Sequence, residues 1–146
     1  MSARVDHKIH QYEHDPNHTS FGLEAAEKLC VGVERVFKTL VVSDGAALFV
    51  GVVPVNKQLD LKAMATALAA KVVRMADVAD AERASGYVTG AISPLGQKRR
   101  LRTVIDSSAT DQSTVFVSAG RRGLEIELAP SDLLGLTGAI SASIAR

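Results

Sequence analysis

Val36-Phe-Lys-Thr-Leu-Val-Val-Ser-Asp-Gly-Ala-Ala-Leu-Phe-Val-Gly-Val-Val53 reads as strand, turn and strand. Val36–Val42 is rich in β-branched and aromatic residues, Ser43-Asp44-Gly45 is turn chemistry, and Ala47–Val53 resumes the apolar run, so the stretch predicts a β-hairpin. A hairpin is antiparallel, which excludes a purely parallel doubly wound sheet. Outward from it, strands alternate with short helices. Downstream, Asp60 caps a helix over Leu61–Ala70 with Leu61, Met64, Ala65 and Leu68 on one side. Lys71–Met75 is a short strand, and Asp77 caps a helix over Val78–Ala84 that stops at Gly86. Then come strands Arg102–Asp106, Val115–Ser118 and Leu124–Leu128, with a turn or helical bridge at Asp111–Ser113 and a tight turn at Gly120–Gly123. Pro130-Ser131 starts a helix to about Leu136, and the small residues of Ser141–Arg146 leave helix and loose tail both open. Upstream, Lys8–Tyr12 is a strand, and Thr19-Ser20 caps a helix over Phe21–Leu29 that buries Leu23, Ala26 and Cys30 and ends at Gly32. The expected class is α+β: a mixed sheet wrapped by short helices, one domain over residues 1–146.

Composition bounds the function. Of 146 residues, 47% are apolar and 23% charged, with no Trp, so the core is aliphatic and the chain is globular. A net charge of +1 gives no whole-molecule field for nucleic acid, and any such partner has to be read locally. Between Lys98 and Arg122, six basic residues face two acidic ones. The single cysteine, Cys30, makes no internal disulfide and reads as a buried small hydrophobe rather than a nucleophile. No apolar run has the length of a membrane span or the form of a signal peptide, so a reducing cytoplasm is expected.

Gly86-Tyr-Val-Thr-Gly-Ala-Ile-Ser-Pro-Leu-Gly-Gln-Lys-Arg-Arg-Leu-Arg102 reads as a binding loop. Gly86, Gly90 and Gly96 let backbone approach a ligand, and Lys98, Arg99, Arg100 and Arg102 suit phosphate. A loop leading into a solvated, charged edge strand is the competing reading. Lys38 is a lone charge in an apolar strand, so it either snorkels at an edge or meets an anion. His7, His10, His14 and His18 invite a metal site, but Asp15-Pro16 breaks helical spacing between His14 and His18, and strand alternation sends His7 and His10 to opposite faces. Tyr12, at a strand end, is placed to line a pocket. No nucleophile elbow, P-loop, zinc spacing or dinucleotide fingerprint is present. Lys38, Gly90, Ser118 and Glu125 fall at strand ends or turns, where they could bind an anion or a polar carbonyl compound.

Five blocks together resemble the YbaK family of Cys-tRNA(Pro) deacylases: Tyr12–Asp15, Val36–Leu40, Gln58–Leu61, Gly86–Leu101 and Val117–Leu128. The resemblance implies a freestanding editing domain with a mixed, barrel-like sheet. It implies that Lys38 holds the terminal adenosine or its phosphate, Gly90 makes a backbone contact near the ester carbonyl, and Ser118 contacts the substrate. Tyr12, Phe21, Thr39, Ile92 and Glu125 would complete the substrate pocket, and Lys98, Arg99, Arg100, Arg121 and Arg122 would meet tRNA. Glu125 stands where the family usually has aspartate, and Ala91 and Ala119 where a second glycine is common. The implied partners are the acceptor end of mischarged proline tRNA and prolyl-tRNA synthetase, with no membrane, DNA, cofactor or metal. Cysteine and proline are close in size, so a second sieve has a physical rationale.

The mechanism implied by the resemblance is attack by the substrate's own thiol, with release of a cyclic thiolactone. Two other functions fit the same residues. One is a hydrolytic deacylase for another mischarged tRNA, such as alanine on proline tRNA. The other is a non-catalytic tRNA-binding or regulatory module.

Overall fold

The computed structural model describes residues 5–17 and 21–146, with Phe21 described by its backbone alone. The hairpin is present as β2 (Phe37–Ser43) and β3 (Leu48–Pro54), paired from Phe37↔Pro54 to Ser43↔Leu48. Its turn is set locally: the Asp44 carboxylate accepts the Ala46 and Ala47 amides at 2.8 and 2.7 Å, and Gly45 takes φ +99°, a conformation that favours glycine.

Around this hairpin a five-stranded mixed sheet forms in the order β4-β2-β3-β5-β8. β4 (Arg74–Met75) pairs antiparallel with the end of β2, while β5 (Arg102–Asp106) runs parallel to β3 and β8 (Ile140–Ala142) parallel to β5. The chain between β3 and β5 carries α2 (Leu61–Leu68) and α3 (Val78–Ser85). The Asp60 side chain accepts the Ala63 amide at the start of α2; Asp77 takes the capping position of α3 without a side-chain bond. A second sheet, antiparallel in the order β1-β7-β6, joins β1 (His7–Gln11), β7 (Leu124–Leu128) and β6 (Val115–Arg121). The remaining helices are α1 (Phe21–Leu29) and α4 (Pro130–Thr137).

β2 is buried on both faces, which explains its nearly continuous apolar sequence. Alternation puts Phe37 and Val41 into a core between the sheets, with Val50, Val52, Val115, Val117, Ile92 and Leu128. Val42 faces a second core with Val53, Val104, Ile144 and the apolar side of α2, namely Met64, Ala65 and Leu68. Fully burying a side chain such as Met64 contributes about 1.5–3 kcal/mol, enough to hold a two-turn helix on the sheet. A third cluster packs Ala25 and Ala26 of α1 against Val36, Val55 and Phe116. Among the described residues no helix is long and apolar enough to cross a membrane.

Several expectations are corrected. The tail is neither helical nor loose, because Ile140–Ala142 joins the sheet and Leu59 and Ala145 form an antiparallel bridge. The bridge before β6 is a 3-10 turn at Ser107–Asp111 rather than at 111–113, because the Asp106 carboxylate caps it on the Ser108 amide. α1 turns Glu24, Ala25 and Ala26 inward and leaves Leu23 38% exposed. Glu24 is drawn in because its carboxylate binds His14 Nδ1 at 2.6 Å and the Asp15 amide at 2.7 Å. Cys30 is exposed, not buried. It ends α1 in a left-handed conformation (φ +57°), with the Val31 amide returning to the Ala26 carbonyl, so the helix stops before Gly32. β5 lies inside the sheet, which removes the edge-strand reading of Arg102. The expected Thr19-Ser20 cap and His18 lie outside the described residues.

Candidate active site

A cavity of about 350 Å³ opens where the two sheets, α3 and the loop after it converge. One wall is Phe37–Val41 of β2. A second is Thr89, Gly90 and Ile92, and a third is Ser118, Arg121, Arg122 and Glu125 from β6, β7 and their turn. Tyr12 closes one end, and Leu23, Met75 and Val78 supply apolar surface.

The polar groups of the β2 and β7 walls are unspent. Lys38 is half-buried, has no hydrogen bond or ion pair among the described residues, and burial pulls its ammonium below the ordinary lysine value. Next to it Thr39 is 8% exposed, and its Oγ1 has no hydrogen-bond partner among the described residues. Glu125, 7% exposed, likewise has no donor there, and burial pushes its carboxyl up to about 8. The Tyr12 hydroxyl is pushed up to about 12 by burial and by the nearby Glu125 charge, so it is a neutral phenol at physiological pH. A buried hydroxyl is ordinarily paired, so the unpaired Thr39 Oγ1, beside a lysine and a carboxyl that also have no partner among the described residues, marks a place for a polar ligand.

The loop wall is the opposite. Ser118 Oγ donates to the Ala91 carbonyl and accepts the Gly120 amide, both at 3.1 Å, so its hydroxyl proton is committed to the backbone. Tyr87 donates to the Leu95 carbonyl at 2.5 Å and packs its ring over Gly120, where a Cβ would come within 2.8 Å of Cε1. Gly90 adopts φ +89° and Gly123 φ +87°. At Gly123 a Cβ would lie 2.7 Å from the Tyr12 carbonyl, and the Gly123 carbonyl accepts the Tyr12 amide at 2.9 Å. No group of three or more His, Cys, Asp or Glu side chains able to hold a metal occurs among the described residues.

Residues 15–136 match the family described as the aminoacyl-tRNA editing domain. The chain belongs to that family. An Enterococcus faecalis protein provisionally named a Cys-tRNA(Pro)/Cys-tRNA(Cys) deacylase is 39% identical over 135 residues, 92% of this chain and 82% of the relative. Two solved structures share the fold. One, described as a candidate trans-editing enzyme for prolyl-tRNA synthetase, has a TM-score of 0.85 at 23% identity, over 96% of this chain and 87% of its own. The other, a hypothetical protein, also has a TM-score of 0.85, at 27% identity over 97% and 92%.

An editing domain of this family is an aminoacyl-tRNA deacylase, cleaving the ester that joins an amino acid to the 3′ end of tRNA. In this editing domain the cavity gathers Tyr12, Lys38, Thr39, Gly90, Ile92, Ser118, Arg121, Arg122 and Glu125, all expected from sequence. The side chain of Phe21 lies outside the described residues. Lys98, Arg99 and Arg100 do not line it. They are exposed, the Lys98 and Arg99 amides bind the Ser85 and Ala84 carbonyls, and Arg100 borders a separate cavity of about 190 Å³ with Leu95, Thr103 and Thr137. The glycine-rich and basic halves of the loop therefore serve different surfaces. At Lys38, β4 pairs only with Val42 and Ser43, so the strand is locally an edge, and the lysine lines the cavity. Sequence reasoning missed the contribution of Met75, Ala76, Val78 and Ala81, which no motif announces.

Proposed function

We propose that this editing domain clears cysteine from proline tRNA in trans, with the substrate's own thiol as nucleophile. One observation carries the reading: the cavity holds unpaired groups suited to bind an aminoacyl ester but no poised nucleophile and base. Ser118 Oγ is tied to the Ala91 carbonyl and the Gly120 amide, neither Ser118 nor Thr39 is hydrogen-bonded to a side-chain base, and among the described residues no histidine or cysteine lines the cavity. Such a site works by positioning and by stabilising charge that develops on the ester. The name of the Enterococcus faecalis relative supports cysteine as the amino acid.

In this reading Lys38 meets the phosphate or ribose of the terminal adenosine, and the Gly90 amide receives the ester carbonyl. Thr39 and Ile92 border the amino acid, and Tyr12 shapes the pocket. Glu125 is the group suited to the substrate's α-ammonium. Its burial without donors keeps it mostly protonated at neutral pH until a cation arrives. The thiol loses its proton to solvent, and sulfur attacks the carbonyl carbon. The carbon–sulfur bond forms as the ester carbon–oxygen bond breaks, and the departing 3′-oxygen takes up a proton. The products are a cyclic thiolactone and free tRNA. Arg121 and Arg122 at the cavity, with Lys98, Arg99 and Arg100 outside it, contact tRNA phosphates. Residues 1–146 act as one domain in the cytoplasm, without a cofactor, on substrate made by prolyl-tRNA synthetase.

The test is turnover of Cys-, Ala- and Ser-charged proline tRNA, with the product identified from the earliest time point. A thiol ionises far more readily than a hydroxyl near neutral pH, so Cys-tRNA should be cleaved at least about a hundredfold faster than Ser-tRNA and give thiolactone first. Comparable rates, or free cysteine with no thiolactone, overturn the thiol mechanism in favour of water activated by Glu125.

A further inference from the structure

The stretch Thr89–Ala91 is tethered by side chains from three separate elements. Glu82 on α3 accepts the Thr89 amide on Oε2 at 2.8 Å. Arg122, in the turn between β6 and β7, donates to the Thr89 carbonyl at 3.0 Å, and Ser118 on β6 donates to the Ala91 carbonyl at 3.1 Å. The Ala91 amide also closes a turn on the Val88 carbonyl. Gly90 sits between these tethers at φ +89°, and its own amide has no partner among the described residues. A peptide held on both sides cannot swing, and a donor already aimed before the substrate arrives costs no reorganisation when charge develops.

Glu82 is not among the residues that line the cavity, so whatever it does there it does through the backbone of Thr89. We propose that Glu82 is a positioning residue of the deacylation site, holding the Gly90 peptide toward the ester jointly with Ser118 and Arg122. This rests on the cavity being the site of ester cleavage. It also gives Ser118 a different task from direct contact with substrate: its hydroxyl sets the loop. Arg122 becomes a clip on Thr89 as well as a neighbour of the tRNA.

Glu82→Ala and Glu82→Gln separate positioning from charge, because the glutamine side-chain oxygen can still accept the Thr89 amide. On Cys-charged tRNA, Glu82→Ala should lower kcat about tenfold or more with KM within about twofold, and Glu82→Gln should stay within about threefold of wild type. Adding Ser118→Ala to Glu82→Ala should cost little more than the worse single change, since both act on one peptide. Without substrate, hydrogen exchange at Thr89–Ala91 should quicken in Glu82→Ala while amides of β2 and β3 keep their protection. The proposal fails if Glu82→Ala keeps kcat within twofold, if Glu82→Gln is as slow as Glu82→Ala, or if KM alone changes. If the wild type deacylates no tRNA, the reading of the cavity falls instead. Exchange at Thr89–Ala91 then decides on Glu82 by itself: unchanged rates refute the tether and faster ones sustain it.

Discussion

Asp106 at the end of β5 and Glu125 near the start of β7 are similarly withdrawn from water, 5% and 7% exposed, yet their surroundings push their charges in opposite directions. Burial alone would raise both. Around Asp106 that effect is outweighed by donors: Ser108 gives its hydroxyl at 2.6 Å and its amide at 3.2 Å, and the Ile144 and Ala145 amides each come within 2.9 Å, holding the carboxyl below its ordinary range. Around Glu125 no described residue donates, and its carboxyl rises to about 8. The lesson concerns what a buried carboxylate is for. One with donors pins the chain to itself, and one without them is held in reserve for something that comes from outside.

The most severe break of this contrast is Lys38→Ala, which removes the other charge held in reserve. Deacylation should fall at least about a hundredfold while circular dichroism and thermal midpoint stay near wild type, because no partner among the described residues loses a bond. A near-normal rate would make Lys38 an edge-strand charge and put the site elsewhere. Next is Asp106→Ala, which orphans the Ile144 and Ala145 amides and should cost about 3–5 kcal/mol in urea unfolding at pH 7. The Asp106 carboxyl is depressed in the folded state. Its stabilisation is therefore present above the ordinary carboxylate range and lost as pH falls through the folded value, so the variant should be less sensitive to acid than the wild type. A loss under about 1 kcal/mol would show that the carboxylate is not a pin.

Glu125→Gln should act in the other direction. The folded state binds a proton that the unfolded chain has released between about 4.5 and 8. The stabilising share of Glu125 is thus full below that window and is lost as pH rises through about 8. The glutamine variant should gain at most about 5 kcal/mol over wild type at pH 9, with the gap closing below about pH 4.5, and should lose deacylation at every pH. A constant gap from pH 4 to 9 would mean that Glu125 is already paired.

What could be read from sequence was whatever local chemistry decides. The hairpin, the apolar side of α2, the Asp60 cap and the end of α3 at Gly86 all follow from neighbours within a few residues. β8 does not: Ile140-Ser-Ala142 has no strand pattern of its own and is recruited by Asp106 and by the backbone of Leu59, which are distant in sequence. Lys38 was visible as a charge out of place in an apolar run, and the glycine spacing of the long loop pointed to the cavity. That the basic half of the same loop faces elsewhere depends on Lys98 and Arg99 binding back to Ser85 and Ala84, contacts that composition does not encode. Glu82 carried no signal, since its value lies in one bond to a backbone amide seven residues on.

The pairing of β1 with β7, His7↔Leu128 to Gln11↔Leu124, also sets when the enzyme can exist. Chain emerging from the ribosome can close the β2–β3 hairpin early, because its halves are adjacent, but Tyr12 has no Gly123 carbonyl to bind and Lys38 has no Glu125 across the cavity until β7 has been made. Non-local pairing of this kind is slow to form and comes late. A growing chain is thus unable to strip the charged tRNAs crowding the ribosome that is making it, and deacylation switches on only when synthesis of the domain is nearly done.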